Sequence, residues 1–552
     1  MLDPGPTPRS PSDQERLDMA IDERSECGSL QVGSLEHRYV GGAHWAAILD
    51  GIADLKNHFD RDEHIMSIVT GSDHDDGDDS YVGITGLRPR SPHALLLYGC
   101  GEPAPRSEIL AALPPRGLVD RFLVFMVPRH DTDTLSTQLG MYREKIVQCL
   151  ILGEYTNSGP YALETLYHYV QIEFSMRADA DKDIWFLLAL AVNMAMRAGY
   201  HRDPRHFPEI SPFQGEMRRR MWASLLQGDI LISSQMGMPR MISEWQCDTA
   251  EPRNLNDADF DVDVDELPPP RPKTDMTTVL PLIARRTMFM ALGTVMDLTA
   301  AVRPCSYAEI MRVDGILHEA AASIPPLLRP KSNMANVTDT PQVIMHRLFI
   351  STTFYKGQIL LHRRFLYMKP TASEKDPFAY SRKACLDAAL GTLQIQDIYD
   401  GESSPGGQLY TMRWRISSVT NHEFLTATMI LCSLLYRGQT LQRDDEIKSA
   451  LRKSRTIWLR RSVTSKEARK AAETVNVVLA RAEGRQHVYG NDGLNVSGDT
   501  LSWLGGAKDA LAAIDDDLEL SFDGQNAFQD AMAVYYREYN ILILNIINLN
   551  EI

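Results

Sequence analysis

Cysteine is scarce in this sequence, and its cysteines lie far apart. The 552 residues include seven cysteines, and no two form a CxxC pair. They are Cys27, Cys100, Cys149, Cys247, Cys305, Cys385 and Cys432. A structural zinc site needs clustered thiolates, and a small disulfide framework needs an even, closely spaced set. The pattern predicts reduced thiols of the cytosol or nucleus, with no metal site in this chain.

Long apolar runs are also absent. No stretch approaches the roughly 18 apolar residues of a membrane span, because Arg, Asp or Glu interrupts each candidate. The first 25 residues are polar and Pro-rich, without the apolar core of a signal peptide. We therefore expect no membrane partner.

Positive charge is in deficit. The 57 Lys and Arg residues against 73 Asp and Glu residues give a formal net charge of -16. Such a surface repels phosphate, so nucleic-acid binding requires a separate basic module. Two basic stretches, residues 218–220 and 452–470, are interpreted as helix faces that meet water or pair with carboxylates such as Glu216. Either stretch could also assist nuclear import.

What is present is a globular composition with helical patterning. Hydrophobic residues make up 44% and charged residues 24%, and the length predicts two to four units or one large helical assembly. We divide the chain into a disordered segment (1–34), a linker-like, partly structured region (35–128), a helical domain (129–480) and a partly disordered extension (481–552). The best-defined part of the helical domain is 181–266.

The helical domain shows apolar residues at three- and four-residue spacing. Trp185, Leu188, Val192 and Ala195 share one face, and Gly199 is placed to cap that helix. The predicted helices are 181–198, 212–235, 279–301, 307–323, 341–365, 377–399 and 414–436, each started or stopped by Pro or Gly. No βαβ alternation or fixed repeat occurs, so the pattern predicts an all-α fold.

Two acidic stretches interrupt the chain. Between residues 244 and 266 seven acids accompany a single base, Arg253, which predicts a loop outside the core. Asp75 to Asp79 matches the DDxxD pattern with which class I terpene synthases hold magnesium and diphosphate. This loop lies between glycines, and its candidate second motif at Asn256 has Phe260 where a hydroxyl ligand is needed. We interpret both stretches as solvated loops and expect no enzyme, with a magnesium-dependent enzyme as an alternative.

The segment from Trp185 to Asp261 resembles the fungal-specific transcription factor domain, the middle homology region of zinc-cluster regulators. Its centre carries AMRAGYHRD, PF, EMRRRMW and SSQMGMPR in that order. The matching residues are Trp185, Arg197, Gly199, His201, Arg202, Asp203, Glu216, Arg218, Arg219, Arg220, Trp222, Asp229, Gly237 and Pro239. Their types suit helix caps, ion pairs and turns, so we predict structural or regulatory roles and no catalytic residue.

The resemblance implies a nuclear transcription regulator, with control of a metabolic or secondary-metabolite gene cluster. Members usually begin with six cysteines that bind two zinc ions, whereas this sequence begins near the stretch RYVGGAHW at residues 38–45. DNA binding is therefore expected to require a zinc cluster outside this chain, either missing or on a partner, and no cofactor is expected here. Other transcription regulators and a small-molecule effector are further expected partners. A co-regulator without a DNA-binding head is the alternative.

Overall fold

A computed structural model describes most of the helical domain and parts of the amino-terminal region. The described residues are 29–32, 37–41, 44–50, 94–99, 103–112, 132–157, 159, 161–175, 177–302, 305–331, 338–368, 376–410, 412 and 418–489. The acidic stretch from Asp75 to Asp79 lies outside them, so the alternative reading of that stretch as a magnesium site is not addressed by the structure.

The described residues form a short hairpin followed by helices. The strands are β1 (Ser29–Val32) and β2 (His37–Val40), which pair antiparallel. The helices are α1 (Trp45–Asp50), α2 (Leu95–Tyr98), α3 (Arg106–Ala112), α4 (Thr132–Leu152), α5 (Ala162–Ser175), α6 (Lys182–Arg197), α7 (Pro212–Gln235), α8 (Leu280–Ala300), α9 (Tyr307–Ser323), α10 (Pro341–His362), α11 (Ala379–Glu402), α12 (Ser418–Arg437), α13 (Asp444–Arg461) and α14 (Lys466–Tyr489). The predicted all-α architecture is confirmed, with one small hairpin beside it.

Helix boundaries follow the capping residues closely. Asp181 caps α6 by accepting from the amide of Asp183, and Ser211 caps α7 by accepting from the amide of Gln214. Pro212 occupies the first helical position of α7, where its missing N–H costs nothing. Side-chain caps and a first-turn proline are visible in a sequence, which explains why the predicted bounds of α7 agree with the structure.

Helix α10 is the centre of the fold. Its buried residues belong to three neighbouring apolar clusters: Ile344 and Leu348 to one, Ile350 to another, and Leu360 to a third. On one side α4 to α8 pack together in sequence order, and on the other α11 to α14 pack with α1. We call these the family half and the carboxyl-terminal half. Because both halves pack on α10, they share one continuous interior.

Two features differ from the sequence-based boundaries. Strand β1 lies inside the segment 1–34, which was predicted to be disordered from its polar composition, because pairing with β2 supplies hydrogen bonds that composition does not reveal. Helix α14 continues to Tyr489, past the boundary set at residue 480. That boundary followed the Gly- and Asn-rich composition, and a helix already packed on α12 and α13 extends beyond it.

Candidate functional site

The turn after α6 is the first part of the motif to take shape. Gly199 has φ +77°, the left-handed conformation that glycine adopts without strain, and it directs the chain into the loop before α7. Arg218 from α7 donates to the carbonyl of Ala198 and lies 4.1 Å from the ring centre of Tyr200. The exposed Arg197 donates to the carbonyl of Thr156. These contacts bind the end of α6 to α7 and to the preceding loop.

Asp203 is the best-connected carboxylate of the motif. Its side chain is fully buried and receives two hydrogen bonds from Arg219, at 3.0 and 2.8 Å. It also accepts from the amides of Ala250, at 2.9 Å, and Arg205, at 3.0 Å. Burial raises the pKa of Asp203, but these hydrogen bonds outweigh it and lower the pKa to about 2. Asp203 is thus an anion that joins α7 to two separate loops.

Asp248 forms a second, more exposed ion pair beside Asp203. It accepts from Arg202 and from the amide of Asp203, and its other oxygen lies 2.8 Å from Nε2 of His206. The hydrogen bond from Arg202 is the main cause that lowers its pKa. The amide of Asp248 in turn donates to the carbonyl of His201. The loop before α7 and the loop after it are therefore joined directly.

Glu216 and Arg220 hold the distal part of the acidic loop. Glu216 is fully buried on α7 and accepts from Arg220 at 3.1 Å and from the amide of Arg253 at 3.2 Å. Burial raises the pKa of Glu216, against the effect of these donors. Arg220 also donates to Asp257 at 2.6 Å and lies 5.0 Å from the ring centre of Phe260. One arginine thus connects α7 to both ends of the 253–260 segment.

Asp229 fixes the exit from α7. It is buried and accepts from Ser233 at 2.9 Å and from the amides of Met241 and Ile242, the latter at 2.7 Å. Burial raises its pKa, and the amide donors oppose that rise. Ser233 in turn accepts from the indole N–H of Trp185 at 3.2 Å. The chain between α7 and Ile242 is consequently held in one conformation by a side chain on the helix itself.

The remaining motif residues have packing roles. Trp222 is buried, and the centre of the His201 ring lies 6.3 Å from the centre of its ring. Gly237 follows α7 with φ +68°, and Pro239 is exposed in the loop that it starts. All fourteen predicted motif residues lie in this part of the structure, on α6, on α7 or in the loops that join them to α8.

Two sequence-based interpretations need correction here. The acidic loop was expected to stay outside the core, but Leu255, Phe260 and Leu267 are buried together as a small cluster. The loop was also judged to have a single base, whereas Arg202, Arg220 and Arg271 reach its acids from elsewhere in the chain. The arginines 218–220 are half-buried with protein partners, and the predicted pairing of this run with Glu216 is confirmed for Arg220.

Sequence reasoning missed a buried polar cluster between α9, α10 and α11. Asp314 accepts from Tyr380 at 2.6 Å and from Gln358, and lies 3.2 Å from Nε2 of His362. Nδ1 of His362 lies 3.0 Å from the hydroxyl of Ser381. Partners 19 to 66 residues apart leave no signal in spacing. Only LHRR at residues 361–364 and SRKAC at 381–385 were noted, as separate parts of the resemblance.

The order Ser381, His362, Asp314 has the residue types of a hydrolytic triad but lacks an accessible nucleophile. Ser381 and His362 are fully buried, and the hydroxyl of Ser381 also lies 3.0 Å from the hydroxyl of Tyr307. The chain of contacts therefore connects three helices, with no room shown for a substrate. Among the residues in the described ranges, no group of three or more His, Cys, Asp or Glu side chains is placed to hold a metal ion.

The geometry defines a class: an all-α body in which one helix, α7, anchors two long loops through buried arginine and carboxylate side chains. The family model described as "Fungal specific transcription factor domain" matches residues 135–288, which contain α5, α6, α7 and the anchored loops. No solved structure matches the chain. Within the described part of the chain, no helix combines the length and apolar character needed to cross a membrane.

Comparison with curated proteins gives the family. The chain is 37% identical to the Zn(2)-C6 fungal-type transcription factor mpsB of Macrophomina phaseolina, over 87% of this chain and 72% of the relative. It is 38% identical to the fusarisetin A cluster transcription factor fsa6 of a Fusarium species, over 86% and 71%. It is also 38% identical to the equisetin cluster transcription factor eqxF of Fusarium heterosporum, over 86% and 76%. The chain belongs to the Zn(2)-C6 fungal-type transcription factors, as the motif resemblance predicted.

Proposed function

We propose that this chain is the regulatory body of a nuclear transcription regulator that controls a secondary-metabolite gene cluster. The observation that carries the proposal is the similarity over most of the chain to relatives that are named as cluster transcription factors. The anchored loops support it, because the buried carboxylates Asp203, Glu216 and Asp229 are all occupied by protein donors. Their roles are structural, as a regulatory scaffold requires.

Promoter DNA is expected to be bound through a zinc cluster that this sequence does not contain, on the same protein or on a partner. The sequence has a formal net charge of -16 and no CxxC pair, so it offers neither a basic surface nor a thiolate cluster. Zinc would accordingly belong to that separate module. Other transcription regulators and a small-molecule effector complete the set of proposed partners.

The test is DNA binding at physiological salt, measured by fluorescence anisotropy with labelled duplex from a candidate promoter. The chain alone is expected to bind no better than roughly 10⁻⁴ M and without sequence preference. The same chain joined to a two-zinc module is expected to reach affinities nearer 10⁻⁸ M on its own site. Sequence-specific binding by the isolated chain in the submicromolar range would overturn the proposal.

We also propose that the chain is not an enzyme. The enclosed Asp314, His362 and Ser381 contacts support this, since a nucleophile must reach its substrate. The measurement is thermal unfolding with and without magnesium and inorganic diphosphate. No shift in Tm is expected, whereas a shift that requires both additives together would indicate a site of the kind suggested by Asp75 to Asp79.

A further inference from the structure

A short amino-terminal strap, defined as Gly41 with residues 44–50, lies against the helical body. His44, Trp45, Ile48 and Leu49 of the strap are all buried, and helix α1 packs on α12 of the carboxyl-terminal half. The amide of His44 donates to the carbonyl of Gly41, which begins the turn into α1. The strap is therefore a packed element, although it lies far outside the matched family domain at 135–288.

The strap also contacts the exit loop of α7 in the family half. A Cβ atom on Gly41 would lie 2.2 Å from the carbonyl oxygen of Gly237, closer than any side chain can approach. A Cβ atom on Gly237 would lie 3.1 Å from the amide nitrogen of Gly41 and 3.2 Å from Cβ of His44. Two backbones thus meet at a pair of glycines. The loop that presents Gly237 is the one that Asp229 holds rigid.

The surface next to the strap is polar. The ring of His44 lies 5.1 Å, centre to centre, from the ring of His422, and the adjacent residue Glu423 forms a buried ion pair with Lys356 of α10. Burial lowers the pKa of His422 well below 6.5, and the nearby His44 and Lys356 add to this effect. Nδ1 of His422 has no hydrogen-bond partner. Covering such groups has a desolvation cost that water would relieve on opening.

We propose that the strap opens and closes on an otherwise intact helical body, and that Gly41 and Gly237 form its contact point. Apolar side chains favour the closed state, while the polar groups of α10 and α12 next to it limit that preference. Opening would detach the chain preceding Gly41 from both halves at once, so the state of the α7 exit loop would be reported to that chain. The inference is independent of the transcriptional role proposed above.

The test is amide hydrogen exchange followed by mass spectrometry on the whole chain, at several low concentrations of denaturant. Amides of residues 47–50 are expected to exchange at least tenfold faster than those of α6, through an opening that denaturant hardly affects. Gly41→Ala should speed exchange at 47–50 by a further tenfold or more and leave α6 unchanged. Exchange of the strap and α6 at one common rate would overturn the proposal, because the strap would then open only with the whole fold.

Gly199→Ala is the matched control. It places the same methyl group at a left-handed glycine, but the nearest atom to its Cβ is a guanidinium nitrogen of Arg218 at 3.6 Å. Strap exchange should be unchanged in this variant. The double variant Lys356→Met with Glu423→Leu removes the buried charges and should slow strap exchange severalfold. Equal acceleration in Gly41→Ala and Gly199→Ala, or no effect of the double variant, would contradict the proposed contact and the proposed polar surface, respectively.

Discussion

The family half and the carboxyl-terminal half are both all-helical, yet they are stabilised differently. In the family half, long loops are held to α7 by ion pairs in which at least one carboxylate is buried, as in Arg219 with Asp203. In the carboxyl-terminal half, loops are short, the interior is apolar, and ion pairs such as Lys453 with Asp397 lie on the surface. Polar anchoring fixes loops that helix packing cannot reach, and apolar packing suffices where helices follow one another directly.

The largest expected effect is on the carboxyl-terminal half. Trp458 is buried on α13, and its indole N–H donates to Thr428 of α12 at 3.1 Å. Trp458→Ala should lower the free energy of unfolding by about 3–5 kcal/mol, measured by denaturant titration. Trp458→Phe keeps the aromatic packing and should cost less. Because both halves pack on α10, one transition is expected, and two separate transitions would show that the halves unfold independently.

Removal of an anchoring carboxylate should come next. Asp203→Ala leaves the half-buried Arg219 without its partner and two loop amides without an acceptor, which should cost about 3 kcal/mol. Asp265→Ala, at an exposed acid of the same loop region, is the control and should stay within about 0.5 kcal/mol. Equal losses in the two variants would contradict the polar anchoring of the family half.

The same anchor predicts a pH dependence confined to acid. The pKa of Asp203 falls from 3.8 to about 2 on folding, so its stabilising contribution is complete above 3.8 and disappears as the pH falls through about 2. The difference in unfolding free energy between wild type and Asp203→Ala should therefore shrink between pH 4 and pH 2. A difference that is constant over this range would mean that Asp203 is not ionised in the folded protein.

A smaller loss is expected at the turn after α6. Gly199→Ala must hold an L side chain at φ +77°, which should cost about 1 kcal/mol in thermal or chemical unfolding. Gly140→Ala, inside α4 and with open space around the position of its new Cβ, is a control that should be neutral or slightly stabilising. Stabilisation by Gly199→Ala would show that the turn does not need its left-handed residue.

The smallest effect should be found on the surface of the carboxyl-terminal half. Lys453 and Asp397 are both largely exposed, so Lys453→Ala should change stability by no more than about 0.5 kcal/mol in chemical unfolding. A loss near that of Asp203→Ala would remove the contrast between the two halves, because surface pairs would then count as much as anchored ones.

The sequence could predict helices but not most of the contacts that position the loops. Periodicity, Pro212 and the glycine after α6 placed α6 and α7, and the motif identified the residues that anchor the loops. The pairings of Asp203 with Ala250 and of Arg220 with Asp257 join residues 37 to 47 positions apart, for which periodicity has no signal. The contact of Gly41 with Gly237 was equally invisible, although both glycines stood in recognised stretches.

The central claim is that this chain regulates transcription from a site to which another module delivers it. The direct measurement is reporter transcription with the chain joined to an unrelated DNA-binding module, compared with that module alone and with the Asp203→Ala variant at equal protein levels. We predict that the wild-type fusion changes transcription severalfold and that the variant loses this effect. Equal reporter output from the fusion and from the module alone would contradict the claim.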